Sequence, residues 1–189
     1  LGPNGFVTLT TINQPGLGLR TRGIDFNGTY AHHLGSVGTL NVSFVGTYLM
    51  NLQNPSQDIE CAGSFGGECG SLPDGGVPNP KWRHVMRVGL TMPNGIGASI
   101  RWRHFSGVDA KQFAGPAEEH FGQQNYFDLS FTARMQQRLN LRLGVNNIFD
   151  REPPLGGGNI PAGFGNGNTF PQVYDALGRY FFAGFTVDF

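Results

Sequence analysis

The chain closes on Leu177–Phe189, LGRYFFAGFTVDF, and the reading of this stretch decides the fold. Phe181, Ala183, Phe185, Val187 and Phe189 occupy the odd positions, and all are apolar. Tyr180, Phe182, Gly184, Thr186 and Asp188 occupy the even ones and are mixed, small or polar. A repeat of two is that of a β-strand whose faces meet different environments. Upstream, Leu139, Leu141, Leu143 and Val145 oppose Asn140, Arg142, Gly144 and Asn146. Phe127, Leu129, Phe131, Ala133 and Met135 oppose Asp128, Ser130, Thr132, Arg134 and Gln136.

Working outward, the alternation returns at Trp82–Met92, Ala98–Arg103, Thr39–Met50 and Ile24–Tyr30, with a weaker strand expected over Phe6–Ile12. The expected fold is all-β, an antiparallel meander of about eight long strands. Short connections fall at Leu34–Gly38, Pro93–Gly95 and Gln136–Arg138. Long ones cover Gln53–Pro80, Ser106–Gln124 and Asp150–Ala176. Tight turns at one end and long loops at the other describe an outer-membrane barrel. Apolar positions at Ala133 and Leu141 are both odd, so the hairpin between them requires an odd loop, met by the three residues Gln136-Gln137-Arg138.

Charge placement sharpens the choice between barrel and soluble sandwich. A basic residue facing lipid at the membrane midplane costs about 2–4 kcal/mol, falling to about 0–1 kcal/mol near the interface. Asp25, Arg87, Arg101, Asp128, Arg134, Arg142 and Asp188 all share the non-apolar parity. Arg20, Arg22 and Arg179 share the apolar parity, each toward a loop end.

Composition excludes other classes. The 189 residues carry 13 basic and 13 acidic side chains, so there is no electrostatic case for a nucleic-acid partner. With 30 Gly and 16 Phe, the chain suits turns and aromatic sheet faces better than helices. No run approaches the ~18–20 apolar residues of a membrane helix, which barrel strands do not need. The opening Leu1-Gly2-Pro3-Asn4-Gly5 reads as the middle of something.

Cys61 and Cys69, in CAGSFGGEC, read as a small disulfide-closed loop in an oxidising compartment. The alternative, a metal site, wants about four ligands, and no His lies nearby. His32, His33, His84, His104 and His120 show neither HExxH spacing nor a catalytic arrangement, so an enzyme, a metal and a cofactor are all unexpected. Asn146-Asn147-Ile148-Phe149-Asp150 at a strand exit suits turn chemistry, with ligand contact as the alternative. Gly156–Gly158 and the Gly163–Gly167 run lack the strand-turn-helix context of a phosphate cradle and read as a mobile outer loop. Arg83, Arg87, Arg101 and Arg103 share one face of two adjacent strands, with Arg87 expected opposite Arg101 or Arg103. Like charges face each other at a cost. Their partners are either acidic residues filling the barrel or an anion drawn along the wall.

NLRLGVNNIFDREPP, Asn140–Pro154, resembles the penultimate-strand signature of TonB-dependent outer-membrane receptors. GNGNTFPQVYDALGRYFFAGFTVDF, Gly165–Phe189, is similar to their final loop and last strand. Leu19–Asp25 (LRTRGID), Pro80–Arg83 (PKWR) and Ile100–Phe105 (IRWRHF) fit the same family. The resemblance implies that residues 1–189 are the C-terminal part of a larger transmembrane β-barrel, with plug domain and TonB-contacting box outside this chain. It implies TonB-coupled import of a siderophore, cobalamin or glycan across the bacterial outer membrane. Its partners would be membrane lipid, the rest of the barrel, the plug, TonB and the assembly machinery, the last reading Phe181, Phe185, Val187 and Phe189. The alternatives are a complete small eight-stranded outer-membrane structural or adhesion protein, and a soluble carbohydrate-binding β-sandwich. The many inward Gly, Ser and Thr leave too little volume to fill an eight-stranded lumen, which favours the larger barrel.

Overall fold

In the computed structural model, residues 19–54, 58–67, 69, 76–111, 120–135, 138–156 and 167–187 are described. The expected Phe6–Ile12 strand, Asp188, Phe189, Gln136-Gln137 and the whole 157–166 stretch of the Gly-rich loop lie outside them. The main sheet has eight strands. Seven run as a meander: β1 (Arg20–His33), β2 (Thr39–Asn54), β5 (Trp82–Thr91), β6 (Ile96–Phe105), β9 (Gln124–Met135), β10 (Leu139–Asn146) and β11 (Tyr180–Val187). The two-residue β3 (Ile59–Glu60) pairs with the end of β2. Every pair in this sheet is antiparallel, and among the described residues β1 and β11 are its end strands. Among the described residues no helix is long and apolar enough to cross a membrane.

Register follows parity. Leu143 stands between Phe131 and Ala183, and Gly144 between Ser130 and Phe182. Leu143's row is thus apolar, while Gly144's row is small and polar apart from Phe182, and a one-residue slip would exchange the faces. Met135 pairs with Leu139, leaving the three-residue turn that parity required. At the neighbouring tight turn, Gly38 has φ +138°, and a Cβ there would sit 2.2 Å from the Thr91 carbonyl oxygen. Only glycine fits so close a backbone crossing.

One face is almost wholly apolar and unburied: Phe181 is 76% and Phe185 75% exposed, with Leu143, Phe131, Ile100, Tyr30 and Val187 beside them. The expected C-terminal stripe thus stands on one face as far as Val187. Toward the long-loop end this face becomes an aromatic band. Trp102 stacks on Phe127 at 6.0 Å, and Phe26 meets Trp82 edge-on at 5.6 Å. The band's polar atoms are mostly partnered: Trp82 Nε1 donates to His84 Nδ1 (2.9 Å) and Trp102 Nε1 to Asn125 Oδ1 (2.9 Å). Rings with one apolar and one polar side suit a boundary between oil and water.

The long connections differ from expectation. They are not plain loops: β4 (Ser64–Phe65), β7 (Val108–Ala110) and β8 (His120–Phe121) form a second sheet, in which β4 and β7 run parallel. The expected antiparallel meander of long strands holds; the correction is that connections read as loops carry short strands, one pair of them parallel. Phe65, Val108, Phe121, Phe170 and Tyr174 bury each other above the wall, contributed by all three long connections. The Cys61–Cys69 disulfide, with Cα atoms 5.8 Å apart, packs with Leu52 and Ala62 in a neighbouring cluster.

Candidate functional site

The polar face carries the titratable side chains. Nearest the loops, Asp25, Thr47, Arg83, Phe105 and Gln124 form one row. Two residues further down each strand, Arg103 and Tyr126 stand side by side. The next row runs Thr29, Ser43, Arg87, Arg101 and Asp128. Arg87 faces Arg101 across β5–β6, one of the two placements that parity allowed.

This juxtaposition survives because β9 supplies an acid on the other side. Asp128 lies directly opposite Arg101. It accepts from Arg101 Nε at 2.6 Å, from Arg103 Nε at 3.1 Å and Nη2 at 3.0 Å, and from the Asn147 backbone N–H at 2.9 Å. Its side chain is only 6% exposed, against 33% for Arg101 and 21% for Arg103. Removing one partner of a fully buried ion pair costs about 3–5 kcal/mol. The partial exposure of both guanidiniums places Asp128→Ala below that range. The partner of Arg101 and Arg103 is thus in the wall itself, an alternative to the two sources considered from sequence. Arg87 donates to Ser99 Oγ at 3.3 Å, and Ser99 Oγ lies 2.9 Å from Ser130 Oγ.

Arg103 also reaches upward. Its Nη2 donates to Asp175 Oδ2 at 2.7 Å, and its guanidinium lies 5.0 Å from the centre of the Tyr126 ring. Asp175 belongs to the final connection, which is also tied down at its start. Asn147, fully buried with φ +50°, accepts from Arg151 N–H and donates to Arg151 carbonyl, both at 2.9 Å. Asp150, with φ +53°, accepts the Arg179 backbone N–H at 2.7 Å. Asn and Asp tolerate the left-handed region and cap local backbone, so turn chemistry explains the NNIFD stretch. Between these anchors, burial pushes the Tyr174 hydroxyl above its ordinary pKa, and no described residue hydrogen-bonds it.

Arg83 stands apart from this cluster. It lines a cavity of about 370 Å³ with Thr47, Pro78, Pro80, Phe105 and Gln172, beneath the first and last long connections. The expected four-arginine group is therefore two sites: Arg87, Arg101 and Arg103 around Asp128, and Arg83 nearer the loops. Lower on the same face, the Arg142 guanidinium lies 5.1 Å from the Phe182 ring centre. Gly144 makes room for that ring, since a Cβ there would lie 2.4 Å from it. Asp128 and Asp175 are the site residues that sequence reasoning did not assign. Asp128 was visible on the polar parity, but its role needed the β6–β9 register. Asp175 sits in a connection with no period to place it. Among the described residues, no group of three or more His, Cys, Asp or Glu could hold a metal ion.

The architecture is thus a long-stranded antiparallel wall with an apolar face, a charged face and a structured loop layer at one end. No family model matches the chain, and neither does any curated protein. Solved structures do. The chain is similar in fold to variants of the ferric enterobactin receptor PfeA of Pseudomonas aeruginosa, with TM-score 0.59, 16% identity and 89% of this chain covered. A third PfeA structure, a variant in complex with enterobactin, matches equally well. The chain spans 22–23% of the length of those receptors. At this identity the likeness establishes the fold alone.

Proposed function

We propose that this chain is the C-terminal wall of a bacterial outer-membrane receptor that imports a scarce ligand, of siderophore, cobalamin or glycan class, with energy coupled through TonB. The observation that carries the reading is the contrast of faces on one long-stranded sheet. One face leaves Phe181, Phe185, Phe131 and Leu143 unburied, while the other holds Arg101, Arg103 and Asp128 in a polar network. A soluble protein rarely exposes so continuous an apolar surface, and lipid is the environment that suits it. The fold shared with a ferric enterobactin receptor supports the same reading.

In this role the wall binds and passes its ligand and performs no catalysis. Arg83, Arg87, Arg101 and Arg103 line the ligand's path. Plug, TonB-contacting segment and remaining strands belong to the rest of the receptor. The stripe Phe181, Phe185 and Val187, together with Phe189 at the end of the sequence, is read by the outer-membrane assembly machinery while β11 is still an unpaired edge.

The test is uptake by cells carrying or lacking the full-length receptor, using labelled ferric enterobactin, cobalamin and a maltooligosaccharide as probes. Receptor-dependent uptake of one probe, abolished by a protonophore, is expected. Uptake of all three that is indifferent to the receptor, or receptor-dependent uptake that survives the protonophore, contradicts the proposal.

A further inference from the structure

Two guanidiniums and two carboxylates balance at Arg101, Arg103, Asp128 and Asp175, but the two carboxylates are not equally held. Asp128 accepts four hydrogen bonds, from Arg101, Arg103 and Asn147. Among the described residues Asp175 accepts one from Arg103, and its other oxygen takes the Leu177 backbone N–H at a long 3.3 Å. Asp128 is part of a strand, whereas Asp175 lies in the connection between β10 and β11. Asp175 is therefore the carboxylate with fewer bonds, and its backbone lies outside the sheet ladder, although its bond to Arg103 is short at 2.7 Å.

Neighbouring Tyr174 is 3% exposed, and its hydroxyl has no hydrogen-bond partner among the described residues. A buried unpaired hydroxyl opposes the closed arrangement, because water would satisfy it on opening. If Asp175 leaves, Arg103 and Arg101 face the polar side with Asp128 as their acid, and Arg87 stands directly opposite Arg101. Three guanidiniums against one carboxylate attract an anion, and a guanidinium takes a carboxylate in forked geometry.

We propose that Arg103, supported by Arg101 and Arg87, is a carboxylate-binding site that the chain fills with its own Asp175, and that a soluble organic anion binds by taking Asp175's place and freeing the 175–178 turn, while Phe170 and Tyr174 stay packed in the loop layer. Asp175 acts as an internal competitor. By linkage, an anion that prefers the released arrangement shifts the segment toward release, and a pre-released segment binds the anion more tightly. The inference rests on the proposed reading of the arginines as part of a ligand path. It concerns binding, not uptake, so its test needs no transport.

Calorimetric titration of the purified full-length receptor with sodium citrate, at constant ionic strength against chloride, reads the site directly. Asp175→Asn keeps the acceptor for Leu177 and removes the charge. It is expected to tighten citrate binding roughly tenfold, the equivalent of losing one modest charge-assisted hydrogen bond. Asp109→Asn, the same charge change on an exposed outer strand, is expected to leave the affinity unchanged. Arg103→Gln is expected to abolish binding. Amide exchange across 175–178 should rise with citrate in the native receptor and start high in Asp175→Asn. The proposal is overturned if citrate does not bind, if Asp175→Asn binds no more tightly than native, or if Asp109→Asn tightens binding equally. It is also overturned if Arg103→Gln binds as native does, or if citrate leaves exchange across 175–178 unchanged. Failure of the uptake assay with these results intact would count against the receptor reading and leave the site standing.

Discussion

The wall and the loop layer solve the problem of apolar side chains in opposite ways. In the loop layer Phe65, Val108, Phe121 and Phe170 are buried against one another, as in any water-soluble core. In the wall Phe181, Phe185 and Leu143 project from the sheet with more than half of their surface uncovered. Most of the hydrophobic core of the described residues thus lies above the sheet, with Leu52 of β2 and Tyr126 of β9 as its buried members on the wall. A wall of this kind is held by its hydrogen-bond ladder and by whatever solvates its apolar face. The loop layer is held by packing, and water must surround it. The same residue type therefore has a different energetic meaning in each region, and substitutions should separate them.

The largest effect belongs to the packed layer. Phe121 stacks on Phe65 with ring centres 4.3 Å apart and also contacts Phe170 and Tyr174. Phe121→Ala should destabilise the layer by about 3–5 kcal/mol, the usual range for a buried aromatic. Amide exchange should accelerate around 64–66, 108–110 and 170–174 while the meander stays protected. Equal acceleration in β10 and β11 would show that the two regions are one unit.

Next comes a charge on the apolar face. Leu143→Arg should cost about 2–4 kcal/mol in a bilayer and lower the amount of folded receptor. Thr132→Arg, on the opposite face of adjacent β9, should be far milder. Comparable losses from the two would break the assignment of faces.

Opening the Cys61–Cys69 bond by a Cys61→Ser, Cys69→Ser pair should destabilise the loop cluster by about 2–3 kcal/mol, as a loop of this length implies. The effect is read as protease sensitivity near Leu52 and Ala62, with the wall unchanged. Cleavage at unaltered rates would remove the disulfide from the account of loop order.

The smallest effect is expected at the terminus. Phe185→Ala and Phe189→Ala should reduce assembled receptor without altering ligand affinity in what assembles. Unchanged receptor levels with weakened binding would contradict the assembly role.

The contrast also explains what the sequence made legible. In the wall, Leu139 to Val145 and Phe181 to Val187 announce their faces by parity, and parity alone limited Arg87 to Arg101 or Arg103 as its opposite number. The Gln136–Arg138 turn length followed from the same rule. Parity is local, however. It could not reveal that β4 from one long connection would run parallel to β7 from another, because no period links segments so far apart. Asp175 shows the same limit at the site. Its pairing with Arg103, 72 residues away, depends on how the final connection folds back over β6 and β9.

The central claim is that one face of the meander meets lipid and the other water. Spin labels placed singly at positions 139–146 and 180–187 of the full-length receptor in bilayers, with collision rates measured against oxygen and a water-soluble nickel chelate, test it directly. The account expects strict alternation, with Leu141, Leu143, Phe181 and Phe185 favouring oxygen and Arg142, Gly144, Phe182 and Gly184 favouring the chelate. Chelate access to both sets, or the reverse alternation, would contradict it.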